Sequence, residues 1–121
     1  MSLPHEFPAR ELVSRRRSGE LSATELVEHF LARIDAHNPT LNALVTVTAE
    51  RALEQADAMD RGAREPGILW GLPFADKDLT NRAGVPTGAV SRVRAGGPVP
   101  SQSDPMALAM DAAGGTSNGK S

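Results

Sequence analysis

Residues 71–91, GLPFADKDLTNRAGVPTGAVS, place a short apolar run, a lysine and a turn-rich loop in immediate succession. That order confines what the chain can build: the run must lie against a core, and the backbone must leave it at Lys77. Burying an ammonium ion without a partner is costly, so the lysine marks where strand gives way to loop. Taken alone, a strand lysine is ordinarily solvated at its tip, its stem covering apolar surface. We read residues 68–79 as the strand carrying Lys77, with Leu69, Trp70, Leu72 and Phe74 as its apolar content. Residues 80–103, rich in glycine and proline, read as an ordered but irregular loop. Asp76 and Asp78 flank Lys77. Neighbours in a strand alternate faces, so both are expected to point away from the lysine, with Asp78 tied to backbone N–H groups of the loop.

The segments before this stretch read as helices. Residues 9–18 form a short helix stopped by Gly19, and the run Arg15, Arg16 and Arg17 fans around it as solvated side chains. Ser22 and Glu25 have the spacing of a capping box, and Leu26, Val27, Phe30, Leu31 and Ile34 follow at helical spacing, which predicts a helix over 23–36 ended by Asn38-Pro39. His29 and His37, eight residues apart, lack metal-ligand spacing and read as surface residues. Residues 41–48 read as a short extended segment. A helix over 49–61 follows, with Ala49, Ala52, Leu53, Ala56 and Met59 on one face, suited to close packing on something flat. Asp104-Pro105 is an N-cap and a first-turn proline opening a helix over 105–113.

Composition excludes several functions. With no cysteine there are no disulfides, thiolate nucleophiles or cysteine zinc sites, and the composition fits the cytoplasm. A formal charge of −2 gives no support to nucleic-acid binding or a basic membrane patch. The N-terminal MSLPHEFPAR has no apolar h-region, and no apolar run is long enough to span a bilayer. With three Phe, one Trp and no Tyr, aliphatic and alanine packing must carry the core. Residues 114–121, GGTSNGKS, fit the phosphate-loop pattern G-x-x-x-x-G-K-[ST]. That loop works with a strand before it and a helix after it, so that N–H groups converge on phosphate. Here a helix precedes it and none follows, and no nucleotide site is expected.

The stretch as a whole resembles the lysine segment of the amidase signature family, which reads G-[IV]-P-apolar-x-x-K-D followed by a loop G-x-x-T-x-x-x-S. The matching residues are Gly71, Pro73, Phe74, Lys77, Asp78, Gly84, Thr87 and Ser91. Upstream, Glu25, Leu26, Val27, Arg33, Ile34, Asn38, Pro39, Leu41, Asn42 and Ala43 match the helical lead-in, and residues 114–121 resemble a segment where a helix leads into a strand. Asp76 stands where the family more often has an apolar residue, and Gly88 where a second threonine is common.

The resemblance implies an α/β fold, helices packed on a mixed sheet, incomplete in this chain. It implies that residues 1–121 are the N-terminal portion of a single amidase domain, truncated before the Gly/Ser-rich nucleophile segment. It also implies amide-bond hydrolysis by a Ser–Ser–Lys triad with Lys77 as general base, a small-molecule amide as substrate, and no cofactor or metal. Both triad serines would come from a G-G-S-S-G-G segment that is absent here; Ser91, Ser101, Ser103, Ser117 and Ser121 lie in other contexts. The 121 residues alone are therefore expected to be inactive. Two alternatives stay open: a glutaminase like the A subunit of a glutamyl-tRNA amidotransferase, and a non-catalytic folding or interaction module in which Lys77 is structural.

Overall fold

A computed structural model describes residues 2–89 and 91–121. A 3-10 turn at Pro4–Glu6 leads into α1 (Ala9–Arg17), α2 (Ala23–Leu41), β1 (Thr46–Val47), α3 (Ala49–Asp60), β2 (Pro73–Asp76), α4 (Pro105–Ala112) and β3 (Thr116–Lys120). The expected α/β class is what is found, and the helices fall where periodicity placed them. The N-terminus of α2 shows how local sequence sets a boundary. Ser22 Oγ accepts from the Glu25 N–H at 3.0 Å, and the Glu25 carboxylate accepts from the Ser22 N–H at 2.8 Å. Asp60, from the end of α3, takes the next two orphan donors, Ala23 N–H at 2.8 Å and Thr24 N–H at 2.9 Å.

The far end of α2 departs from expectation. The helix runs through Asn38-Pro39 to Leu41 and ends on Asn42 in the left-handed region, φ 50°. Pro39 removes one N–H from the last turn, yet the Asn42 N–H still reaches the Asn38 carbonyl at 2.7 Å. The Asn38 side chain accepts from the Leu44 N–H at 2.9 Å and donates to its carbonyl at 3.0 Å. The exit is thus fixed by Asn38 and Asn42 rather than by the proline, whose effect on the preceding residue is a bias and not a prohibition.

The sheet has the order β1-β3-β2, with β3 antiparallel to β1 and parallel to β2. Its centre is β3, built from the GGTSNGKS segment, not the strand expected over 68–79. That strand is shorter than expected: residues 68–72 form a turn docked on the end of α4. The Leu69 N–H donates to Ala113 O at 2.8 Å, Gly71 N–H to Gly114 O at 2.7 Å, and Trp70 takes φ 50°. A Cβ at Gly114 would lie 1.8 Å from the Pro66 carbonyl oxygen, so only glycine permits this approach. The extended stretch expected over 41–48 is a strand only at Thr46–Val47.

The alanine face of α3 packs as expected. Ala52, Ala56 and Met59 join Ala23 and Val27 of α2 in a buried cluster, with Leu31 and Leu53 at its margin. Alanine lets α3 approach both α2 and the sheet closely.

Candidate active site at the end of strand β2

Lys77 directly follows β2 and is exposed, while Asp76 and Asp78 on either side are buried. The alternation expected of an extended backbone therefore holds. The pairing with β3 continues past the strand: the Ser121 N–H donates to Asp76 O at 2.9 Å and the Asp78 N–H to Ser121 O at 2.8 Å. Lys77 Nζ lies 3.4 Å from the same Ser121 carbonyl. Asp78 accepts from the Gly88 N–H at 3.2 Å, the loop contact anticipated for it, and its own carbonyl accepts from Ala89 at 3.0 Å.

Beneath the strand lies a charged cluster that the sequence did not announce. Arg82 Nε donates to Asp76 Oδ2 at 2.6 Å and its Nη2 to Oδ1 at 3.2 Å, while Nη1 forks to both oxygens of Asp111 at 2.9 and 2.7 Å. Ser117 Oγ, on β3, donates to Asp76 Oδ2 at 2.8 Å. Burial pushes the Asp76 carboxyl up, but hydrogen bonds from Arg82 and Ser117 and the charges of Arg82 and Lys120 outweigh it and hold it below the usual range. Burial works against the Arg82 charge, and its two carboxylates more than offset it.

Lys120 is the second buried cation. Its Nζ donates to Thr80 O at 2.7 Å and to Thr87 Oγ1, fastening the loop to β3. Burial pulls its proton affinity down, against the opposing charges of Asp78 and Asp76. A phosphate-loop role is incompatible with this placement. The pattern's backbone is spent on sheet pairing, as in Val45 N–H to Lys120 O at 2.9 Å, and its lysine on loop contacts.

Other expected positions sort clearly. Gly84 closes a turn with φ 78°, Thr87 receives Lys120, and Ser91 is half-buried with its N–H on Gly88 O at 2.9 Å. Ser103 Oγ accepts from the Ala83 N–H at 2.9 Å, and Ser117 serves Asp76, so neither is placed as a partner of Lys77. Asp104 occupies the N-cap position of α4, but its carboxylate accepts from the Asn81 N–H at 2.8 Å instead of capping. Two surface readings are corrected. Arg16 is buried, donating to Trp70 O at 3.0 Å and Leu21 O at 2.7 Å beside Asp60, because α1 lies over the 66–72 turn. His29 is half-buried and hydrogen-bonded at 2.8 Å to His5, whose ring stacks on it. His37 is exposed as expected. Among the described residues no group of three or more His, Asp or Glu could hold a metal ion, and no helix is long and apolar enough to cross a membrane.

The amidase family model matches residues 25–121, the span from the first turn of α2 through β3. The chain belongs to the amidase family. Over 91 residues it is 46% identical to the A subunit of the glutamyl-tRNA(Gln) amidotransferase of Alkalilimnicola ehrlichii and 47% identical to that of Thioalkalivibrio sulfidiphilus. Each match takes in 74% of this chain and 19% of the relative, so the chain spans about a fifth of the curated relatives it matches. Among solved structures, a chain from a vestigial protein complex bearing on the origins of an s-triazine catabolic enzyme superposes with a TM-score of 0.88 at 32% identity. That match covers 94% of this chain and 26% of the other. A 6-aminohexanoate cyclic dimer hydrolase bound to substrate gives 0.82 at 26% identity, covering 94% and 23%. This chain is thus an amidase-family α/β unit with its lysine segment at a strand end.

Proposed function

We propose that Lys77 is the general base of a Ser–Ser–Lys amide hydrolase whose serines come from a Gly/Ser-rich segment outside these 121 residues, which form the N-terminal portion of one amidase domain. The observation that carries this reading is the placement of Lys77. It stands outward at the end of β2, with both neighbouring carboxylates buried on the other side and Asp76 bound to Arg82. A base needs a free amine, which an unpaired carboxylate facing it would oppose. The substrate is a small-molecule amide handled in the cytoplasm, and residues 1–121 alone do not turn it over.

The test uses a polypeptide carrying residues 1–121 together with the serine segment. Lys77→Ala removes nearly all amide hydrolysis, at least the roughly 10²–10⁴-fold of a positioned base, with the fold intact by circular dichroism. Lys77→Arg fails equally, since guanidinium does not release its proton near neutral pH. Parental activity in Lys77→Arg would remove Lys77 from the role of base. A glutaminase within an amidotransferase is the second reading, favoured by the 46% identity to an amidotransferase A subunit. Ammonia release from glutamine, compared with hydrolysis of simple aliphatic and aryl amides, separates the two.

A further inference from the structure

Asp76 places a negative charge one residue from the amine that the proposed chemistry needs free. Left unpaired, that carboxylate would favour the ammonium form of Lys77. The structure couples it elsewhere. Arg82 grips both oxygens of Asp76, Asp111 grips Arg82, and Ser117 Oγ adds a third hydrogen bond to Asp76 from β3. The β2–β3 register is irregular between Phe74 and Asp76, so this clamp sits at the step immediately before Lys77. Bulges of this kind re-aim side chains.

We propose that Arg82 is a positioning residue for Lys77: by clamping and neutralising Asp76 beneath the strand, it keeps that adjacent carboxylate from holding the proton on the Lys77 amine. The proposal rests on the reading of Lys77 as a base. The other charges facing this cluster are Arg51, 3.9 Å from Asp111, and Arg64, Asp78, Asp104 and Lys120. The clamp acts through charge, so it is separable from a bond that only holds the fold.

The sequence makes the test direct. It holds two lysines, and Lys120 is buried and bonded, so Lys77 is the lysine open to an acylating reagent. The 121-residue chain is treated with an N-hydroxysuccinimide acetate at pH 8, and acetylation at Lys77 is followed by peptide mass mapping. The variants are Arg82→Gln, Asp76→Asn and the double substitution. Arg82→Gln is expected to slow acylation about three- to tenfold, the scale of one charge acting across roughly 10 Å with partial screening. Asp76→Asn, which leaves the guanidinium without that partner, is expected to speed it about twofold or more. The double variant returns to within about twofold of the parent. Equal rates in parent and single variants, shifts of the same sign, reversed signs, or a double variant as slow as Arg82→Gln overturn the proposal. If Arg82→Gln loses its helical circular dichroism, the sign with Asp76→Asn decides. Acylation needs no turnover, so unmoved acylation discards the Arg82 role while leaving amide hydrolysis to the Lys77→Ala test.

Discussion

The two halves of this molecule are filled by different chemistry. Between α2 and α3 the interior is built of apolar side chains, mostly small, Ala23, Val27, Ala52, Ala56 and Met59. Around β2, β3 and α4, beside the apolar Val85 and Ala107, the buried residues include Asp76, Asp78, Arg82, Thr116, Ser117, Asn118 and Lys120. An apolar cluster is stabilised by area and close fit and tolerates few intrusions. A buried polar cluster holds only while each member keeps its partners, because an orphaned charge is far costlier than an orphaned methyl. Lys77 emerges from the second kind of interior, where geometry is specified bond by bond.

The sharpest way to break this contrast is at Arg82. Arg82→Leu strands the buried Asp76 carboxylate and is expected to cost about 3–5 kcal/mol in denaturant unfolding. Replacing both partners by apolar residues, Asp76→Leu with Arg82→Met, is expected to recover much of that loss, since both desolvation penalties vanish while the partly exposed Asp111 loses its bonds from Arg82. A double variant as unstable as the single one would show that the pair is not a self-contained unit. On the apolar side, Ala56→Leu overfills a site with no exposure and is expected to cost about 1–3 kcal/mol, with no change in the acylation of Lys77. A coupled change at Lys77 would mean the halves are not independent.

The smallest effect concerns acid. The folded-state proton affinity of Asp76 is lowered, so its contribution to stability is present above the ordinary carboxylate value near 3.9 and is lost as pH falls through the lower folded value. Asp60 behaves alike: burial pushes it up, but its hydrogen bonds from Thr24 and Ala23 and the charge of Arg16 outweigh that. Unfolding measured between pH 5 and about 2.5 is expected to show a smaller loss for the double variant lacking Asp76 than for the parent. Parallel curves would indicate that the clamp contributes no proton linkage.

What the sequence determined by itself is local. Ser22 and Glu25 capped a helix, alanines at helical spacing made a packing face, and alternation around Lys77 turned Asp76 and Asp78 inward, because each depends on neighbours within a few residues. The amidase resemblance was legible for the same reason: its motif lies in one stretch. What the tertiary structure decided is long-range pairing. GGTSNGKS became the central strand because α4 delivers it between β1 and β2, and Gly119, with φ 153°, admits the Thr46 carbonyl oxygen where a Cβ would lie 2.1 Å away. Arg16 is buried because Trp70 and Leu21 offer carbonyls to it, and Arg82 because Asp76 and Asp111 converge on it across 6 and 29 residues of chain. No spacing announces a partner that only a turn and a helix bring into reach, so the charges that surround Lys77 were visible as residues but not as a site.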